Sequence, residues 1–221
     1  MQKLWIIRRQ PYRETSALLT LLTNEDRLVK CIARGLGSRI GEFQPLFGML
    51  SGRSSLLGLS KVEPAGPIIP LRGTELISGF YINEITHWLL PEGVKVDSLF
   101  DIYTDSLAKV SQGQYSALRH FERFLLDVSG IYPILYQNRL GESLIEDVYY
   151  RLHNDQQLVE VKSDEPDALS GAFWIALSNS DYEQHYTAQY AKWLHRALID
   201  RALGGRRLIS REMLMEAGKK K

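Results

Sequence analysis

The chain has 221 residues, 44% of them hydrophobic, a single cysteine and a formal net charge of +1. That is enough apolar material for one large core or two modest ones, and the lone Cys31 excludes an intrachain disulfide and any cysteine-rich zinc site. No run of about 18 apolar residues reads as a membrane span, and the start Met-Gln-Lys-Leu-Trp-Ile-Ile-Arg-Arg is too short and too soon charged for a signal peptide, so a cytoplasmic protein without membrane contact is expected.

Charge is unevenly placed. Residues 1–63 carry ten Lys and Arg against five Asp and Glu, residues 64–191 eight against eighteen, and residues 192–221 nine against three. A near-neutral total thus hides a basic head, an acidic body and a basic tail, a pattern that suggests polyanion contact at the two ends. The break near residue 63 favours two domains, 1–70 and 71–221.

Leu4 to Ile7 is a short apolar run interrupted at Pro11. Ala17 to Thr23 is β-compatible and stops at the turn formers Asn24-Glu25-Asp26. Arg27 to Arg34 resumes as a strand with Leu28, Lys30, Ile32 and Arg34 on one face and Val29, Cys31 and Ala33 on the other. Gln44 to Leu50 and Leu56 to Val62 are two more strand candidates. Five short strands in about 60 residues, punctuated by glycine, predict a small closed barrel, because closure removes unpaired edges.

Beyond Pro64, Pro67 and Pro70 the period becomes helical. Ser78 to Leu90 places Tyr81, Ile85, Trp88 and Leu89 on one stripe, and Leu99 to Val110 carries another. Ala117 to Ser129 is capped by Ser116 and closed by Gly130, with Leu118, Phe121, Phe124, Leu125 and Val128 inward. Tyr149 to Val161 alternates about Asn154-Asp155-Gln156, a small hairpin inside the helical domain. Asp167 to Leu177 and Thr187 to Leu203 return to helix, Gly204-Gly205 ends the latter, and Ser210 caps a last short helix. The class is α+β, a five-stranded barrel followed by a mainly helical domain.

Enzyme signatures are missing: there is no Gly-rich Lys-Ser/Thr phosphate loop, no His-Glu-x-x-His helix and no Gly-x-Ser-x-Gly elbow. Asp97, Asp101 and Asp105 could suggest a metal nuclease, but acids at that helical spacing are usually a solvated face. The basic head offers more. Lys30, Arg34, Arg39 and Arg53 could line a groove that tracks a single-stranded phosphate backbone, with Trp5, Tyr12, Phe43 and Phe47 available for stacking or for the core. The basic tail adds Arg206, Arg207 and Arg211. The competing reading is a protein-only adaptor whose basic barrel pairs with an acidic partner.

At Pro11-Tyr12-Arg13-Glu14-Thr15-Ser16, Lys30 to Ser38 and Gln44-Pro45, the sequence resembles the bacterial DNA repair family RecO. The likeness continues through Gly79-Phe80-Tyr81-Ile82-Asn83-Glu84, Ala117-Leu118-Arg119-His120-Phe121-Glu122, and Leu203-Gly204-Gly205 with Ser210-Arg211-Glu212. The resemblance implies an oligonucleotide-binding (OB-fold) barrel and a non-enzymatic mediator, monomeric alone and acting at the nucleoid without a cofactor. It implies binding of single- and double-stranded DNA, annealing of complementary strands, and a partnership with RecR. It also implies docking of the acidic C-terminal tail of single-stranded DNA-binding protein (SSB) and assistance to RecA loading in the RecF pathway. Lys30 and Arg34 match the family's basic barrel positions and Arg211 its basic C-terminal segment. Arg119 and Arg123, beside Phe124, are candidates to receive the acidic tail, the alternative being that both arginines pair with the protein's own acids. Many relatives carry four zinc-binding cysteines after the third helix; this chain has none there and resembles the zinc-free branch. Gly37 and His120 stand where the family often has Arg.

Overall fold

The computed structural model describes residues 1–35, 40–53, 56–182 and 184–219. They form two compact units, residues 1–121 with 203–221, and residues 122–202.

In the first unit, strands β1 (Gln2–Tyr12), β2 (Ser16–Thr23), β3 (Arg27–Arg34), β4 (Leu46–Ser51) and β5 (Leu56–Pro64) close into a barrel of order β1-β2-β3-β5-β4. Only β3 and β5 pair in parallel, which is the five-stranded OB-fold arrangement. Leu4, Leu19, Leu21, Cys31, Ala33, Leu46 and Leu59 fill its core, as alternation along β3 predicts. Burial pushes the Cys31 thiol up to about 12, so it acts as an apolar side chain. Gly48 lets the wall pack closely: a Cβ there would lie 2.7 Å from Leu59 Cδ1 and 2.8 Å from Leu4 Cδ1, so both leucines would have to shift. Strand β1 runs through Pro11, which pairs with Ala17. Proline removes one donor, but its fixed φ suits extended chain near a strand end.

Helix α1 (Gly73–Leu89) starts five residues before the expected Ser78 and is followed by α2 (Leu99–Ser111). The β2–β3 turn anchors α2, since Asp26 Oδ1 accepts from Phe100 N at 2.9 Å and Oδ2 from Ser98 N at 3.2 Å. A carboxylate at a helix N-terminus satisfies free donors and complements the dipole.

Helix α3 (Ser116–Val128) begins in the first unit and continues into the second. Phe121 and Leu125 are buried as expected, but Val128 is exposed and Leu126 takes its place in the core. In the second unit the predicted hairpin, β6 (Tyr149–Leu152) with β7 (Leu158–Val161), gains a third strand, β8 (Leu169–Ser170). Helix α4 (Gly171–Ser178) therefore starts four residues later than Asp167. Asp167 has φ +60°, and Ser170 caps the helix by accepting from Phe173 N at 3.3 Å. Trp174 donates Nε1–H to Tyr150 O at 3.0 Å, tying α4 to the sheet. Helix α5 (His185–Ala202) completes the unit.

Gly204 and Gly205 turn the chain with φ of +57° and +88°, values that favour glycine. Helix α6 (Ile209–Lys219) follows in the first unit. Ser210 lies inside its first turn instead of capping it. The cap is Glu84 of α1, which accepts from Ile209 N at 2.8 Å, Ser210 N at 3.0 Å and Ser210 Oγ at 2.6 Å.

Candidate nucleic-acid interface

Strand register decides which basic side chains share a face. Arg8 pairs with Thr20 and Thr20 with Lys30; two residues on, Gln10, Leu18 and Ile32 align; two further, Tyr12, Ser16 and Arg34. Paired residues point the same way and every second residue repeats the direction. Arg8, Lys30, Tyr12 and Arg34 thus lie on the side of the wall opposite Leu19, Cys31 and Ala33.

The C-terminal turn of α1 meets this face at Arg8. Arg8 Nη1 donates to His87 Nε2 at 2.6 Å, and its Cζ lies 5.1 Å from the Trp88 ring centroid. Arg206 covers the same indole at 3.7 Å. A guanidinium has only donors, so His87 Nε2 is an acceptor and the imidazole is neutral with its proton on Nδ1. Consistently, burial and then the Arg8 charge hold His87 below the usual histidine range, with Lys30 and Arg206 adding to the effect and Glu92 opposing it. Lys30 Nζ is engaged by Glu92 Oε1 at 2.6 Å.

The other expected positions are more dispersed. Arg34 ends β3 and Arg53 sits in the β4–β5 turn, both exposed and neither paired with a carboxylate among the described residues. Arg39 lies outside the described residues. The Arg207 side chain is 88% exposed, with Glu212 3.9 Å away. Arg211 is half-buried against Tyr81, its Nη2 3.5 Å from the phenol oxygen. Of the aromatics, Trp5 and Phe43 are core, whereas Tyr12 and Phe47 are partly exposed. Of the expected cations among the described residues, only Lys30 and Arg206 converge on one place, beside His87. Arg8 and His87, which complete that place, are not marked by the sequence as binding residues, and Trp88 reads there only as part of the apolar stripe of α1. The parity of β1 was the available signal, since residues 8, 10 and 12 must face together.

Arg206 is held in place by the helix that follows it. Leu208 and Ser210 are buried, and Glu84 fixes the α6 N-terminus. Replacing Glu84 by Ala removes three hydrogen bonds to a charged acceptor and is expected to destabilise the unit by about 1–3 kcal/mol. Urea unfolding of the Glu84→Ala chain checks this, Glu84→Gln retaining part of the loss because its amide oxygen still accepts.

On α3, Arg123 is committed locally. Its Nε pairs with Asp127 at 2.6 Å, and its Cζ lies 3.5 Å from the Tyr132 centroid. Phe124 and Arg119 are both half-buried on the same helix. Asp97 and Asp105 pair with Lys95 and Lys109 at 2.6 and 2.8 Å, and among the described residues no three His, Cys, Asp or Glu side chains are grouped to hold a metal ion. No described helix is long and apolar enough to cross a membrane.

A family model described as Recombination protein O C terminal matches residues 71–171. Over nearly its whole length the chain is similar to proteins named DNA repair protein RecO. It is 35% identical to that of Stutzerimonas stutzeri (97% of this chain, 93% of the relative). It is 33% identical to that of Pseudomonas entomophila (96% of each) and 34% identical to that of Coxiella burnetii (97% of each). With an OB-fold barrel at its N-terminus and this likeness along its length, the chain belongs to the RecO family of DNA repair proteins.

Proposed function

We propose that this chain is a non-enzymatic recombination mediator. It binds single- and double-stranded DNA through the barrel segment 1–70 and the basic tail, anneals complementary strands, and with RecR helps load RecA onto SSB-coated DNA in the RecF pathway. The observation that carries the reading is the outward alignment of Arg8, Lys30 and Arg34 on a closed OB barrel. Arg53, Arg206, Arg207 and Arg211 extend the basic set, and Arg39 is a further candidate from the sequence alone. Cations along a strand neutralise phosphates and leave base edges free to pair, so holding two strands lowers their mutual repulsion without covalent chemistry. The helical segment 71–221 supplies the protein contacts. There Arg119 and Arg123, with Phe124 beside them, would receive the acidic SSB tail, although Arg123 must first give up its Asp127 contact. RecF and RecA are further partners, and the site of action is the nucleoid in the cytoplasm.

The test is annealing of two complementary labelled oligonucleotides, bare and SSB-coated, without nucleotide or metal. Faster annealing on coated strands is expected. No acceleration together with no salt-sensitive retention of DNA would favour a protein-only adaptor. A second expectation concerns the barrel alone: Lys30→Ala with Arg34→Ala should weaken binding to all sequences alike and lower the slope of log K against log salt by about 0.7 per lost phosphate contact. Arg34 should contribute the larger share, because Lys30 already has Glu92. Fluorescence anisotropy across a salt series measures both, and an unchanged slope would remove strand β3 from the interface.

A further inference from the structure

Arg8 and Arg206 converge on one indole from distant parts of the sequence, placing their guanidinium carbons at most about 9 Å apart. That is about one screening length at physiological salt, so the like charges feel each other. Among the described residues no carboxylate is paired with either. Glu92, whose charge acts on His87 beside them, is paired with Lys30 at 2.6 Å. Among the described residues the acceptor Arg8 has found is the neutral His87 Nε2, which uses one of its five N–H donors. Folding has therefore gathered two permanent cations, with a third beside them, and left most of their donors unspent.

We propose that the Arg8–Trp88–Arg206 cluster is a preformed seat for the phosphates of a nucleic-acid strand. This rests on the reading of the chain as DNA-binding and deepens it by naming where the backbone is gripped. Arg206 is packed on the Trp88 ring and Arg8 is tied to His87 beside it, so that little side-chain freedom is lost when their remaining N–H groups take phosphate oxygens in bidentate fashion. The indole is already covered by cations, which makes it a support for phosphate contacts and not a platform for base stacking. For the same reason it offers no apolar pocket to an acidic peptide. A strand is the favoured ligand because the positive row continues outward through Lys30 to Arg34 on the same face of the barrel, matching an anion whose charges repeat. Anion binding also relieves the repulsion between the two arginines, so the bound state gains more than two isolated surface arginines would give. Glu84, by capping α6, positions Arg206 for this role.

The experiment uses the full chain and a labelled oligothymidylate over a salt series. It compares wild type with Arg8→Gln/Arg206→Gln, with Arg8→Lys/Arg206→Lys, and with the reference pair Arg34→Gln/Arg53→Gln. The Gln pair is expected to lower the salt slope by about 1.4, at about 0.7 for each of two lost contacts, and to weaken binding at least tenfold at low salt. The Lys pair should keep most of the slope while losing affinity, since charge remains but the planar fork is gone; that outcome also separates contact from misfolding. A wild-type slope in the Gln pair, with binding otherwise salt-sensitive, overturns the seat and leaves the DNA-binding reading standing. No salt-sensitive binding by wild type overturns both. Inorganic phosphate supplies the last arm: if it raises the melting temperature of wild type but not of the Gln pair, while the oligonucleotide slope is the same in both, the seat serves a free anion and the strand assignment falls.

Discussion

Glu122→Ala is expected to destabilise the second unit by about 3–5 kcal/mol, the cost of removing one partner from a buried carboxyl–imidazole hydrogen bond. Glu122 and His195 are 2% and 0% exposed, and Oε2 lies 3.1 Å from Nδ1. The ring centroids of Tyr132 and Tyr182 lie 5.5 and 6.1 Å from that of the imidazole in edge-to-face arrangements, so no bulk water replaces the lost acceptor. The vacated volume adds a cavity term to the unmet hydrogen bond. Glu122→Gln retains an acceptor of the same length and should lose much less. Hydrogen exchange read separately over residues 1–121 and 122–202 locates the damage, which is expected in the second segment. A loss under 1 kcal/mol in Glu122→Ala would mean that the pair contributes little beyond filling space.

That pair illustrates what the sequence does and does not disclose. The barrel was legible because its signals are local: alternation in Arg27–Arg34, turn formers at Asn24-Glu25-Asp26 and short even strands. The helices α2, α3 and α5 were legible from their apolar period. What escaped depends on contacts between residues far apart in the chain. Local sequence predicts that Ser210 caps helix α6, but the acceptor is Glu84, 126 residues away. The period of their apolar neighbours predicts helix at Leu169–Ser170, yet pairing with Tyr149 and Tyr150 draws them into the sheet. Val128 fitted the stripe of α3 by spacing and is nonetheless exposed. The candidate interface divides in the same way. Lys30 and Arg34 could be placed on one face from strand parity alone. Arg8, His87 and Trp88 could not be joined to Arg206, because nothing local relates the end of α1 to the segment after α5. Nor does composition reveal that Lys30 and Arg123 already hold acidic partners.

The same long-range logic applies to Trp5 in the first unit. It is buried in β1, its Nε1–H donates to Thr104 Oγ1 at 2.9 Å, and its ring lies 5.6 Å from that of Tyr103. Tyr103 in turn donates to Asn83 Oδ1 at 2.6 Å, linking α2 to α1. One indole thus ties the barrel strand carrying Arg8 to the two helices packed beside it. Trp5→Ala should cost about 3–5 kcal/mol from lost burial and cavity formation, with about 1 kcal/mol more for the hydrogen bond. Trp5→Phe keeps a ring against Tyr103 and should lose about 1–2 kcal/mol. The two substitutions then divide scaffold from interface. Trp5 touches no proposed phosphate position, so Trp5→Phe should bind the oligonucleotide with the wild-type salt slope while melting at a lower temperature. Trp5→Ala, assayed where it remains folded, should lose slope as well, because Arg8 and His87 meet only if β1 and α1 stay in register. An unaltered slope in Trp5→Ala would show that the phosphate contacts do not need this junction.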